Sequence, residues 1–268
     1  MSQPHRAPLR ILQLTDLHLH ARPDTRLNWG LPGSIVSTDA TLERVLSDIA
    51  ADPKRPDLML LTGDLAQEPV ARTYRRLDAL FAPLGCPTYA LPGNHDDADL
   101  LYAELRGPTV SSPRVVALGD WVCILLDSTV AGESGGRLDE TELALLEETL
   151  ERHPAAHALV ALHHPPLPLG SPWLDGIGLT QAAALHAVFE RYPHVRGVLF
   201  GHAHQEFDSR HQGVRYLGTP ATCIQFVPRA ERLAVDALGP AYRWLELHAN
   251  GHIETGVHYV DAALLKRA

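Results

Sequence analysis

The chain has 268 residues, 45% hydrophobic and 21% charged, enough to bury a substantial core in one α/β domain or two small ones. Its formal charge of −9 offers no field for a nucleic-acid backbone, which excludes a polynucleotide as the expected partner but not a small phosphorylated ligand. No stretch approaches the roughly 18 apolar residues of a membrane span. The first ten residues hold no apolar leader core, and Cys86, Cys123 and Cys223 show no CxxC spacing, so the expected location is the reducing cytoplasm.

In chain order, "LRILQLTD" (9–16) reads as a strand, followed by a Pro/Gly-containing loop. "STDATLERVLSDIAAD" opens with capping residues and then places Leu42, Val45, Leu46 and Ile49 on one helical face. "DLMLLTGD" (57–64) is the next strand, "ARTYRRLDALFAPL" a helix, and "TYALPGNHDD" (88–97) a strand running into a loop. "RVVALGDWVCILLD" predicts two strands around a Gly-Asp turn, with Cys123 as a buried thiol. "DETELALLEETLERH" is a charged amphipathic helix whose Glu147, Glu148 and Glu151 read as a solvated face. A strand in "HALVALHHPP", a helix in "TQAAALHAVFERY" and a strand in "VRGVLFGH" follow. Beyond them "VRYLGT" and "RWLELHANGHIETGVHYV" predict antiparallel strands completing a sheet, with Asn250-Gly251 as a type I′ hairpin signal. No repeat or linker divides the chain, so residues 1–268 are expected to form one domain.

The polar residues sit where apolar strands stop. The ends carry Asp16-Leu17-His18, Gly63-Asp64, Gly93-Asn94-His95-Asp96, His163-His164 and Gly201-His202-Ala203-His204. Each has an ordinary reading as a turn; "GNHD" alone would be an Asx-turn with Asp96 capping a following helix. In open α/β sheets, however, ligands bind beyond the carboxyl ends of strands. Five such ends can share one crevice, with the two imidazoles of "GHAH" facing Asp16, His18, Asp64, Asn94 and His163. Carboxylate, amide and imidazole ligands without thiolate suit Mn, Fe or Zn ions.

The five blocks, spanning about residues 10 to 205, resemble the calcineurin-like metallophosphoesterases. "LDSTVAGESGGRLDETELALLEETL", "HHPPLPLGSPWLD" and "GTPATCIQFVP" are similar to the class III cyclic-nucleotide phosphodiesterases within it, including the bacterial cyclic AMP enzymes. The resemblance implies a four-layer α/β/β/α sandwich with a C-terminal antiparallel strand region. It also implies two divalent or mixed-valence transition-metal ions. Asp16, His18, Asp64 and His204 would hold one, and Asp64, Asn94, His163 and His202 the other, with Asp64 shared. The implied reaction is hydrolysis of 3′,5′-cyclic nucleotides, cyclic AMP to 5′-AMP foremost, by in-line attack of a metal-bridging hydroxide. Alternatives are another small phosphodiester such as a glycerophosphodiester, a phosphomonoester, or a catalytically silent scaffold. A small phosphodiester is then the expected partner, with a homodimer allowed by the family.

By the same resemblance His95 overhangs the ions as a catalytic residue, either a general acid or a hydrogen-bond donor to phosphate. Gln67 stands where the Ser/Thr phosphatases place an Asp that partners this histidine, so of the two roles the phosphate-binding one is the better supported. Since successive strand residues face opposite sides, one of His163 and His164 should ligate; the family pattern favours His163. His20 is close enough to His18 to line the mouth, and Trp29 and Trp173, in Gly/Pro-rich segments near the motif loops, read either as base-stacking or as loop-packing residues. His5, His153, His157, His186, His194, His248, His252 and His258 read as surface or packing residues.

Overall fold

The computed structural model describes residues 7–260. Four parallel strands, β1 (Leu9–Leu14), β2 (Leu58–Thr62), β3 (Thr88–Leu91) and β4 (Val110–Ser111), form half of the molecule. Between them run the helices α1 (Thr38–Ala51), α2 (Ala71–Phe81) and α3 (Ala98–Glu104). The chain then builds β5 (Val115–Leu118), β6 (Trp121–Leu125), the two-residue β7 (Gly136–Arg137) and α4 (Glu140–Arg152). Next come β8 (His157–Ala161), the short α5 (Pro172–Asp175), β9 (Leu179–Thr180), α6 (Ala182–Arg191) and β10 (Val195–Phe200). The last four strands are β11 (Phe207–His211), β12 (Val214–Gly218), β13 (Ala241–Leu247) and β14 (Ile253–Tyr259).

Two six-stranded sheets result, ordered β14-β13-β1-β2-β3-β4 and β11-β12-β10-β8-β6-β5, while β7 and β9 pair apart from both. The central strands β2 and β6 are buried at every position because both faces are covered. Alternate residues divide between layers: Ile11, Leu58, Leu60, Cys123 and Leu125 pack between the sheets. Leu12, Leu14, Met59 and Leu61 pack outward with Leu42, Val45 and Ile49 of α1 and Leu77 of α2. Val122, Ile124 and Val160 pack outward on the other side with Leu146 and Leu150 of α4 and Val188 of α6. The expected four-layer α/β/β/α sandwich is thus the fold. The predicted face of α1 is buried, and Ser37 caps that helix by accepting the Ala40 N–H.

Several local expectations are corrected. The C-terminal strands complete both sheets rather than one. β13 and β14 add antiparallel beside β1, and β12 adds parallel beside β10 with β11 antiparallel at the edge. Asn250-Gly251 does not form a type I′ turn. Only Gly251 takes a positive φ (83°), and Gly251 N–H closes on the His248 carbonyl at 3.0 Å, so a three-residue loop with glycine as the bulge joins the strands. The cap of α3 is Asp97, which accepts the Leu100 N–H at 2.9 Å, and Asp96 is freed for another task. Glu147 and Glu151 are not simply solvated: they bind Arg191 and the Tyr192 hydroxyl, tying α4 to α6.

Candidate metal centre

The carboxyl ends of β1, β2, β3, β8 and β10 meet at one edge of the sandwich, and the polar blocks leave the strands there. β1, β2 and β3 run parallel in one sheet and β8 and β10 in the other, so within each sheet the loops that follow the strands gather at the same end. Two hydrogen bonds stitch the first loop to the second, Asp16 N–H to the Gly63 carbonyl (3.0 Å) and His18 N–H to the Asp64 carbonyl (2.9 Å). The sheets are joined beneath the site as well, where Gln13 donates to Thr62 Oγ1 and the Phe200 carbonyl and accepts from Thr219 at 2.6 Å.

The backbone there is unusual. Asp16, His18, Asp64, His202 and His204 all adopt left-handed φ values between 47° and 63°, five of the eight such non-glycine residues described. L-residues reach that region only when surroundings hold them there, at a cost of order 1–3 kcal/mol each. Glycine makes room for them. A Cβ on Gly63, itself at φ 95°, would strike the His163 ring, and one on Gly93 would strike Asp64.

All the side chains singled out in the five blocks are brought together. Asp64 Oδ2 lies 3.6 Å from His18 Nε2 and 3.4 Å from His163 Nε2, so one carboxylate faces both halves of the cluster. On one side His204 Nε2 is 3.2 Å from Asp16 Oδ1 and 3.4 Å from His18 Nε2. On the other, Asn94 Oδ1 is 3.2 Å from His163 Nε2 and 2.9 Å from His202 Nδ1. Asp16, His18 and His204 form one group able to hold a metal ion, and Asp16, Asp64 and His163 another.

The donor chemistry fits cations. His18 donates Nδ1–H to Gln67 Oε1 (2.9 Å), His163 to the Thr62 carbonyl (2.8 Å) and His204 to the Ile224 carbonyl (2.7 Å). Each neutral ring therefore turns an Nε2 lone pair toward carboxylate, amide oxygen or another ring. His202 Nε2 is buried with no partner at all. Such an array repels itself unless positive charge enters it. Without a cation, protons take that place: burial works against charge on His163, but Asp64 beside it prevails and lifts it to about 9. Asp16 raises His204 in the same way against burial. His18 and His202 are instead lowered to about 3 by burial. Burial also acts to raise Asp64, but His163, through charge and hydrogen bond, holds it well below the usual range.

His95 is half-buried and lines the cavity in front of the cluster, its ring 4.8 Å from that of His18. Its backbone N–H donates to Asp64 Oδ1 at 2.8 Å, which places the side chain. Gln67 serves His18 rather than His95. Asp96 locks the loops together, accepting N–H from Leu65, Ala66 and Gly93 and the Tyr74 hydroxyl.

His163 and His164 lie beyond the end of β8, so strand alternation does not separate them: both are fully buried, with rings 5.0 Å apart. His164 Nδ1 bonds to Ser128 Oγ at 2.8 Å, and its nitrogens also fall in a group with His163 and His202. His20 is buried beside Glu68 and does not line the cavity. His5 lies outside the described residues, and the other histidines set aside are away from the site. Trp29 and Trp173 both line the cavity, of about 230 Å³. Phe226, Ile177 and Leu233 join them; Phe226 lies within the quoted stretch "GTPATCIQFVP", but no periodicity singled out any of the three, because they lie in loops.

Residues 9–206 match the family model of the calcineurin-like phosphoesterases. The chain is 38% identical over 255 residues to the 3′,5′-cyclic adenosine monophosphate phosphodiesterase CpdA of Pseudomonas aeruginosa, covering 95% of this chain and 91% of that protein. It is 40% identical over 253 residues to the CpdA of Escherichia coli strain K12, covering 94% and 90%. Among solved structures, a dimetal phosphatase from Danio rerio superimposes with a TM-score of 0.60 at 12% identity, covering 96% of this chain and all of that one, a likeness of fold alone.

Proposed function

The chain belongs to the calcineurin-like phosphoesterase family, and from that premise we propose that it is a metal-dependent phosphodiesterase converting 3′,5′-cyclic AMP to 5′-AMP. The observation that carries the substrate is similarity to cyclic AMP phosphodiesterases along almost the whole chain. In the site, Asp16, His18, Asp64 and His204 would hold one transition-metal ion, and Asp64, Asn94, His163 and His202 a second. Mn, Fe or Zn suits such a donor set. Bound there, the ions would supply the charge that activates water and neutralises the phosphoryl oxygens.

The chain's own residues do the rest. Gln67 and the Thr62 and Ile224 carbonyls hold three imidazoles in the tautomer that turns Nε2 inward. His95, at the cavity face, is placed to donate a hydrogen bond to the phosphate. As the P–O3′ bond breaks, the departing O3′ needs a proton, and His95 is the side chain positioned to offer one.

Three buried, unpaired cysteines support a reducing compartment, the cytoplasm. Among the described residues no helix is long and apolar enough to cross a membrane. The pairing of β13 with β1 supports one domain across the described residues 7–260. A homodimer is an assembly the family allows.

The test is hydrolysis of cyclic AMP by Mn²⁺-loaded protein beside a glycerophosphodiester and a phosphomonoester at equal concentration, with Asp64→Ala as control. Preferential formation of 5′-AMP, lost together with bound metal in Asp64→Ala, supports the proposal. Turnover of another ester but not cyclic AMP discards the substrate, and no turnover with two ions bound favours a silent scaffold.

A further inference from the structure

The cavity has two unlike walls. One is the polar cluster with His95; the other is made of Trp29, Trp173, Leu174, Ile177, Phe226 and Leu233. The apolar wall starts directly at the cluster. Phe226 lies flat on His204, with ring centroids 4.2 Å apart and an interplanar angle of 17°. Trp29 meets His18 edge-on at 5.3 Å and leans on Phe226 at 5.6 Å. Trp173 meets Phe226 edge-on at 5.3 Å.

These rings come from two loops and the short helix α5, and each segment is anchored. Ser34 Oγ accepts the N–H groups of Trp29 and Leu31. Asp175 accepts those of Leu169 and Gly170, fixing the turn before α5. Phe226 N–H donates to the His204 carbonyl at 3.0 Å, and Phe226 bridges to Val235 across its own loop. Trp29 and Trp173 nevertheless stay only partly buried, with aromatic surface left toward the cavity.

A phosphate ester with a small polar alcohol gains nothing from such a wall. A flat heteroaromatic group does, because base-on-aromatic stacking is among the stronger sequence-tolerant contacts a protein makes to a nucleotide. In a 3′,5′-cyclic nucleotide the phosphate is fused to the ribose, so the base stands in a nearly fixed direction from phosphorus. A rigid wall beside the phosphate site can therefore meet it without reorganisation. Apart from the cluster and His95, the lining offers, among the described residues, Ser134 and the indoles as its polar side chains, with no further carboxylate, amide or guanidinium to read a base edge. Stacking area then decides, and a purine covers more of the wall than a pyrimidine.

We infer that Trp29 and Trp173, backed by Phe226, form the base-binding face of the active site and select cyclic purine nucleotides; this rests on the cyclic-nucleotide phosphodiesterase reading. The test uses the metal-loaded protein, Trp29→Ala, Trp173→Ala and the conservative Trp173→Phe. Substrates are cyclic AMP, cyclic CMP and a base-free cyclic phosphate, 1-O-methylribose 3′,5′-cyclic phosphate. The expected result is a wild-type preference for cyclic AMP over both others. Each alanine variant should lower the kcat/KM ratio of cyclic AMP to the base-free substrate about tenfold, chiefly through KM, and Trp173→Phe should restore much of it. Titration with 5′-AMP should quench tryptophan fluorescence, and less so in the alanine variants, with Trp121 and Trp244 as constant background. Unchanged ratios, or equal losses on the base-free substrate, overturn the base-binding role while leaving the phosphodiesterase reading intact. Wild-type protein that turns over no cyclic phosphate overturns both.

Discussion

Gln67 Oε1 stands 2.9 Å from His18 Nδ1, and that single acceptor decides which nitrogen of His18 enters the cluster. With Nδ1 carrying the proton, Nε2 faces Asp64 and His204 as a lone pair. Burial keeps the ring neutral, its pKa lowered to about 3. Gln67→Leu should therefore weaken metal binding about 10- to 100-fold, the usual effect of removing a group that orients a ligand. Gln67→Glu, which keeps an acceptor, should stay close to wild type. Isotherms with Mn²⁺ read this directly, and equal affinity in the leucine variant would show that His18 is oriented by packing alone.

Metal loading should expel protons. In the metal-free protein Asp64 raises His163 to about 9 and Asp16 raises His204, which favours the protonated form of both rings. A cation needs those nitrogens bare, so protons should leave as the site fills. The sign follows: affinity rises with pH through the range where these rings would otherwise hold protons, and falls as the solution is acidified. Calorimetric titration in buffers of different ionisation enthalpy measures the release, and a buffer-independent heat would contradict it.

His95 meets the cluster from the cavity side, with its backbone N–H on Asp64 and its ring 4.8 Å from that of His18. His95→Ala should retain the metal content of wild type and lower kcat on cyclic AMP about a hundredfold. The loss should shrink on an ester whose alcohol departs without a proton. Equal losses on both esters would remove the proton-donor role and leave phosphate binding.

Asp96 is a structural latch. Its two oxygens accept three backbone N–H groups and a tyrosine hydroxyl, and they join the loop after β2 to the loop after β3. Asp96→Asn replaces one oxygen with a donor that faces N–H groups already seeking an acceptor. The expected cost is about 1–3 kcal/mol. Denaturant unfolding of the metal-free protein gives the value, and no change in midpoint would mean that the loops rearrange freely.

Much of this molecule is legible along the chain because strands and helices carry their burial in their period. The face of α1 formed by Leu42, Val45, Leu46 and Ile49 follows from 3.6-residue spacing, and the apolar runs of β2 and β6 from being covered on both sides. Asp16, His18, Asp64, Asn94, His163, His202 and His204 could be named because each follows such a run, and parallel strands carry their ends to one edge. What had to wait for the tertiary structure lies in the loops, where no period applies. Sequence alone did not show that His164 stays beside His163, that Gln67 serves His18, or that Asp97 rather than Asp96 caps α3. Nor did it show Phe226 stacked on His204, or left-handed backbone at five cluster residues. Residue type and spacing determined which ligands are present and where they cluster. Contacts between loops far apart in the chain decided how each side chain is turned, since a loop takes its conformation from what packs against it.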